Sequence, residues 1–474
     1  MTSPRRKRKT MDNLFEWIKK ADSGDAEAQY KVAWHILYEM KIEDSDSEII
    51  NRALNYLTAA AINGYCHGLA ALVLGDLFYQ GRHVRQDFKQ AIKWYRTATQ
   101  KRMPIAYYDL GVCFLLGHGI NKDLAKAFDC FFKGAMIGYI NNYIMIGDMF
   151  KNGEFVELDR KFALKLYQYV YDSETDLFKK NNIWSDAYGI VCLRLGECYL
   201  HCIGVNRDIA KANYYFREAK EHSKDAHWKN SESPYLLQLM NDAPYFEDTT
   251  IINGNTLDVL ESQPLSQKDF IQLVSDNLPD YKLNAFPEKE LNELCEANPV
   301  ITKFGDKHFC EIYQGVKNDD ARSMYEMATI CYKGDANCSR NTALFDYATY
   351  LYHQSLLKGC SDPLEILGLF YYHGGEVVQD YKVALFLYGL SEFPMALGEI
   401  GVCYANGKGV EKDYLKAYKF FVKCLLLEPE KGGVTYENMT IIYPHLPCFE
   451  YDQIFIEYCL ESSKKYKTDD YDNF

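Results

Sequence analysis

No stretch of the 474-residue sequence approaches the ~18 consecutive apolar residues that a membrane-spanning helix needs. A secretory signal is also missing. The basic opening "PRRKRKT" leads into "MDNLFEWIKKADSGDAEAQ", which is amphipathic and charged where a signal has an apolar core. Without such a signal, 15 cysteines fit a reducing compartment and free thiols. There is no phosphate-cradling glycine loop, because "GHG" and "GKG" fall in recurring turns. Positive charge is in deficit too, with 53 Lys and Arg against 66 Asp and Glu. The net charge is −13, and −18 once the five positive charges of the opening tail are set aside. An acidic body disfavours non-specific binding to nucleic acid or anionic membrane and suits basic or neutral partners. What is abundant is tyrosine, at 39 residues, a side chain suited to surfaces half buried and half wet.

The stretch "LGVCFLLGHGINKDLAKAF" (110–128) sets a frame that recurs along the chain. With Gly111 as origin, the equivalents are Gly75, Gly147, Gly196, Gly368 and Gly401. Leu or Ile precedes each, and an aromatic residue lies three after. Nine after comes Val or Ile; twelve after comes Asp87, Asp123, Asp159, Asp208, Asp380 or Asp413. Sixteen after is always alanine, and twenty after is Tyr95, Phe131, Tyr167, Phe216, Tyr388 or Phe421. The spacings are 36, 36 and 33 residues within uninterrupted runs, and 49 across an insertion around "DSETDLFKKNNIW". Two looser copies, Ala26 to Gly64 and Thr329 to Gly359, bring the total to at least eight units.

One unit can be read physically. Leu110 and Phe114, four apart, share a helix face. Gly111 beside them lets a second helix approach, and Gly117 is a left-handed helix stop. Asp123 stands where an N-cap belongs, so the six aspartates are caps and not catalytic acids. Ala127 and Phe131 form the inner stripe of the second helix, with the small alanine expected against the glycine. A single such hairpin cannot bury its own face, so the units must stack. The predicted fold is an all-α, alpha-alpha superhelix (solenoid) of at least eight helix-loop-helix repeats.

The frame resembles the SEL-one-like repeat, a relative of the tetratricopeptide repeat. "IGVCYANGKGVEKDYLKAYKFF" (400–421) matches that family's pattern at nearly every position. "LGECYLHCIGVNRDIAKANYYF" departs once, with Cys202 in place of the stop glycine, which leaves the form of that turn open. The resemblance implies a non-enzymatic adaptor or scaffold that binds proteins or peptides on its concave side, with no cofactor.

The expected organisation is a basic tail (1–11), a first repeat array (12–230), an irregular helical connector (231–321), a second array (322–447), and a C-terminal capping helix with a polar tail (448–474). Within the connector, "LSQKDFIQLVSDNL" reads as a helix capped by Ser266, and "FPEKELNELCEA" as another with Pro287 at its first turn. Cys198, His201 and Cys202 have the helical spacing of zinc ligands, but Cys198 occupies a slot filled elsewhere by Leu77, Cys113, Met149, Phe370 and Cys403. That slot is apolar, so core packing is the better reading for Cys198 and Cys113 alike. No metal site, cofactor or catalytic constellation emerges. Cytoplasmic residence is expected, with nuclear import through the basic tail as the alternative.

If the first helix of each unit lines the concave side, frame positions −3, +1, +4 and +5 face a partner. This nominates Asp76, Tyr79, Tyr108, Asp148, Glu197, His201, Tyr372 and His373 as groove residues for a protein or peptide, a basic one among the candidates. Alanine at Tyr79, Tyr108 and Tyr372 is then expected to spare thermal stability. The alternative is a regulatory or assembly subunit that self-associates or stabilises an enzyme complex. At the level of the fold, Gly111→Leu should cost about 1–3 kcal/mol by overpacking a helix crossing; an unchanged melting temperature would mean that Gly111 faces no neighbour.

Overall fold

The computed structural model describes residues 14–40, 47–63, 67–181, 186–222, 266–291, 303–304, 307–333, 342–375, 377–391, 393–449 and 452–466. The basic tail 1–11, residues 231–265 of the expected connector and the polar tail after Tyr466 lie outside them. The chain divides into two compact units, Met1–Val259 with Pro447–Phe455, and Leu260–Leu446 with Ile456–Phe474.

The first unit runs α1 (14–22), α2 (Ala26–Trp34), α3 (Ser47–Asn63), α4 (His67–Gln80), α5 (Phe88–Thr99), α6 (Pro104–Leu116), α7 (Leu124–Met136), α8 (Asn141–Asn152), α9 (Arg160–Asn181), α10 (Asp186–Leu200) and α11 (Ile209–His222). The second holds α12 (Gln267–Asn277), α13 (Phe309–Lys317), α14 (Ala321–Lys333), α15 (Thr342–Leu357), α16 (Leu364–His373), α17 (Tyr381–Leu390), α18 (Pro394–Asn406), α19 (Tyr414–Leu427) and α20 (Gly433–Ile442). The expected capping helix is α21 (Gln453–Tyr466). Among the described residues the one departure from helix and loop is a two-residue antiparallel ladder, Lys303–Phe304 against Lys307–His308. From α2 to α11 and from α13 to α20 each helix packs on the next in sequence, as a stacked array requires, while α12 packs on α15. The insertion lengthens α9 to 22 residues, against 12 in α5 and 13 in α7.

Each hairpin is held at its crossing by one contact. A Cβ on the frame glycine would lie 2.4–2.5 Å from the ring twenty residues on, in all six units: Tyr95, Phe131, Tyr167, Phe216, Tyr388 and Phe421. The glycine therefore makes room for an aromatic ring and not, as expected, chiefly for the stripe alanine. The six alanines are nonetheless fully buried beside it.

The turn is closed by the cap aspartate twice over. Its backbone N–H donates to the carbonyl of the aromatic residue nine before it, at 2.9–3.0 Å in all six units. Its carboxylate accepts N–H bonds from the first turn of α5, α7, α9, α11, α17 and α19. The chain leaves the first helix through a left-handed residue: Gly81, Gly117, Gly153, Gly374 and Gly407 have φ of 70–77°. Cys202 takes the same role at φ 57°, so the turn survives the lost glycine.

The described part of the connector packs into the second unit. Ser266 caps α12 by accepting the Asp269 N–H at 3.2 Å, and the turn after Pro287 is helical over 288–291. Val274, Leu278 and Leu291 join the core of α14–α18. Tyr281 stacks on His353, with ring centroids 4.9 Å apart. His353 is 1% exposed. Its Nδ1 lies 2.8 Å from the Thr349 carbonyl, which only accepts, so Nδ1 carries the proton and Nε2 accepts from Tyr371 Oη at 2.9 Å. Burial pushes this imidazole down to about 4. A depressed value means that the unfolded chain binds the proton first. The neutral ring's contribution is thus complete above pH ~6.5 and is lost as pH falls towards about 4, a swing of roughly 3 kcal/mol. Urea midpoints of the wild type should fall more steeply from pH 6.5 to 4.5 than those of His353→Gln; parallel profiles would show that His353 titrates normally.

Candidate partner-binding surface

The four frame positions nominated for the groove have different fates. At −3, Leu72, Tyr108 and Leu193 are buried, and Tyr108 is 0% exposed against Phe131 and Tyr139. Tyr108 is therefore a core residue in this packing, a correction to its expected place on the surface. The reason is geometric: this face of the first helix meets its own hairpin and the next unit. At +5 the opposite holds, since Gln80, Leu116, Asn152, His201, His373 and Asn406 are exposed in all six units. His201 and His373 are thus placed on the surface as expected.

The acids at +1 are structural partners of the rings. Asp76, 7% exposed, accepts from Tyr95 Oη at 2.9 Å, and Asp148 accepts from Tyr167 Oη at 2.6 Å. These are two of the three units where the ring over the glycine carries a hydroxyl; in the third, Tyr388 lies over Gly368 and +1 is Leu369. Asp148 also takes a two-pronged bond from Arg194, Nε–Oδ1 2.8 Å and Nη2–Oδ2 2.9 Å. Burial alone would raise its carboxyl, but the Arg194 guanidinium and the Lys151 ammonium hold it below the ordinary value. Glu197 lies 3.4 Å from both Arg194 and Lys151, joining neighbouring units across α8 and α10.

The tyrosines at +4 make the joint between successive units. Tyr79 Oη lies 2.9 Å from His118 Nδ1 of the next unit, and His118 stacks on Phe88 at 4.6 Å. In the second unit Lys408 holds the place of His118. It donates to Tyr372 Oη at 2.8 Å and lies 5.2 Å from the Tyr381 ring. Tyr79 and Tyr372 are 8% and 7% exposed, so both serve the joint more than an open surface. One residue later, a Cβ on Gly119, Gly204 or Gly409 would clash at 2.3–2.8 Å with the first residue of the preceding unit's second helix. His118, Lys408 and Arg194 were not singled out from the sequence. For His118 and Lys408 a signal was there: a polar or cationic residue stands at +7 wherever the preceding unit has tyrosine at +4.

The cysteines at the apolar slot are core. Cys113 and Cys198 are 0% exposed, and burial pushes the Cys198 thiol up to about 12. Cys198 faces the interior while His201 is exposed, so the zinc-like spacing brings no ligand set together. Among the described residues no group of three His, Cys, Asp or Glu side chains is placed to hold a metal.

These features define a class, the α-solenoid of short helical hairpins with a glycine at each crossing. The Sel1 repeat family model matches eight segments, 26–65, 68–101, 104–139, 143–169, 190–223, 321–360, 366–391 and 394–423. More than half of the chain is covered, and the chain belongs to that family. It is similar to the "ERAD-associated E3 ubiquitin-protein ligase component HRD3" of Candida glabrata, 30% identical over 123 residues. That match takes in 24% of this chain and only 14% of HRD3. Among solved structures, a Sel1 repeat protein from Oxalobacter formigenes is 22% identical over 42% of this chain and 72% of its own, with a TM-score of 0.36. A protective antigen of uropathogenic Escherichia coli with an SLR fold, c5321, is 19% identical over 96% of this chain and 91% of its own, with a TM-score of 0.33.

The burial of Tyr108 reverses the earlier expectation for alanine at that site. Tyr108→Ala should cost about 3–5 kcal/mol, as large aromatic truncations in cores do. His373→Ala should stay within about 0.5 kcal/mol of the wild type. Urea denaturation of both variants measures the contrast, and equal midpoints would return Tyr108 to the surface.

Proposed function

We propose that the chain is a non-catalytic scaffold that holds a protein or peptide partner on the exposed ends of its first helices. The observation that carries this is the +5 position, open to solvent in all six units while −3 is buried in five of them. On the first unit it presents Gln80, Leu116, Asn152 and His201; on the second, His373 and Asn406. This mix of apolar, amide and imidazole groups suits side-chain recognition. Membership of the Sel1 repeat family, whose members generally act as protein-interaction scaffolds, supports the reading. The acidic composition supports a basic or neutral partner over nucleic acid. The cysteine usage supports the cytoplasm, and the basic opening supports nuclear import as the alternative. A second reading, a subunit that assembles or stabilises an enzyme complex, is supported by the local likeness to a ubiquitin-ligase component.

Affinity capture of the full-length protein from native lysate, followed by mass spectrometry, tests the reading. A Leu116→Ser, His201→Ala, His373→Ala triple variant should recover the dominant partner several-fold less well at an unchanged melting temperature. Equal recovery would retire the +5 surface. Recovery of the bait alone as a multimer would retire the adaptor reading in favour of self-association.

A further inference from the structure

Residues 447–449 and 452–455 fold as part of the first unit, although some three hundred positions of chain separate them from the repeats they touch. Their seat is built on α7 and the turn after α8. Lys133 is only 4% exposed. Its ammonium lies 2.8 Å from Asp129 Oδ2, one helical turn back, and 3.0 Å from Asp452 Oδ2. The other oxygen of Asp452 accepts the Phe455 N–H at 3.1 Å, so one carboxylate both caps α21 and meets the lysine. Phe455 is fully buried, edge-on to Phe132 with centroids 5.8 Å apart, and lies 5.5 Å from Lys133 Nζ. Phe449 meets Phe155 at 6.3 Å, and Phe155 packs on Phe128 at 5.5 Å.

Two departures from the repeat frame make this seat. The position of Phe155 is glycine at 119, 204 and 409 and histidine at 83, where the backbone is left-handed as well. Phe155 sits there at φ 65°, where a bulky side chain is strained, and its ring is the one that Phe449 touches. The position of Lys133 is Thr97, Tyr169, Glu218, Leu390 and Lys423 elsewhere, and none of those is a fully buried cation. Burial alone would lower the Lys133 ammonium, but Asp129 and Asp452 raise it well above its ordinary value, so it stays charged. Asp129 also meets that charge from within α7, so Lys133 keeps a carboxylate partner when Asp452 leaves. Beside the segment lies a pocket of about 420 Å³, lined by Arg96, Tyr107, Lys126 and Lys133 together with Asp452 and Ile454.

We propose that this seat is a docking site for a segment of a partner protein with aromatic, acidic and aromatic residues at three-residue steps, as in Phe449, Asp452 and Phe455, and that the chain's own residues 447–455 occupy it until such a segment displaces them. The proposal rests on the scaffold reading and gives it one site and one partner chemistry. The site takes an acidic motif even though the body of the protein is acidic, because recognition here is by one buried cation and two rings, not by the long-range field.

The probe is a fluorescein-labelled peptide with the sequence of residues 446–458, added to the full-length protein and read by anisotropy. In the wild type the resident segment competes at an effective concentration on the order of millimolar. An Asp452→Ala, Phe455→Ala variant removes the competitor and should bind the peptide at least about tenfold more tightly than the wild type. A peptide with Asn in place of Asp452 should bind at least about tenfold more weakly than the native peptide. Adding Phe155→Gly, which returns the frame residue and relieves the left-handed backbone, should abolish binding while the protein stays folded by circular dichroism. Should the double variant melt early, Asp452→Asn alone gives the same reading with a smaller shift. No binding to a folded variant at about 1 mM peptide overturns the proposal. So does binding indifferent to Phe155, or a wild-type dimer that disperses on Phe155→Gly and so fills the seat from a second copy. Partner capture through the +5 surface without peptide binding would remove this site and leave the scaffold reading standing.

Discussion

An aromatic ring lying where a side chain would otherwise be is the contact on which this protein is built. At each crossing the glycine has no Cβ, and the ring twenty residues later closes to a distance that no other residue permits. The contact fixes how far apart the two helices of a hairpin stand and how they are rotated about their axes. That in turn places the stripe alanine in the remaining gap, where all six copies are sealed. The same contact accounts for two of the acids at +1. Tyr95 and Tyr167 bring a hydroxyl into the interior, and Asp76 and Asp148 accept from it. The pairing is not a rule of the frame, since Tyr388 stands over a unit with Leu369 at +1 and Phe216 over one with Glu197.

The joints between hairpins repeat a second rule. The backbone after the left-handed stop lies against the start of the preceding unit's second helix, close enough that Gly119, Gly204 and Gly409 have no room for a Cβ. The side chain one residue earlier then reaches the tyrosine at +4 of that preceding unit, through His118 in one array and Lys408 in the other. Because each hairpin touches mainly its neighbours, stability is a sum of hairpin and joint terms. A substitution at a joint uncouples two units, while one at a crossing removes a unit.

The frame, the caps, the turn positions, α12 and α21 were legible in the sequence because each depends on residues close together along the chain. The six aspartates could be assigned as caps from spacing alone, since an N-cap is satisfied within three residues. The partner surface was legible only in part. Whether position −3 faces solvent or a neighbour depends on the rotation between successive hairpins, which no single hairpin encodes, and Tyr108 was misplaced for that reason. The ion pair of Asp148 with Arg194 crosses 46 residues, and periodicity carries no sign of it. The docking of residues 447–455 was further out of reach. Its one local trace was a phenylalanine at 155 in a glycine position.

In a repeat array, what folds the chain and what distinguishes one part of it are written at different positions. The crossing glycine, its aromatic ring, the stripe alanine and the cap aspartate recur in all six regular hairpins because each must solve the same packing problem. A partner cannot tell one unit from another by those residues, since they are buried and alike. Discrimination has to come from positions that the packing leaves free and from places where the frame is broken at some cost. The +5 position is of the first kind, changing from Gln80 to Leu116, Asn152 and His201 along the first unit. Phe155 and Lys133 are of the second kind, one strained and the other a buried cation. Strain of that sort persists only where surrounding contacts over-determine it. Here those contacts are the Phe128 ring beneath and the Phe449 ring above. The energetically awkward residues of the array and the segment that covers them therefore form one device.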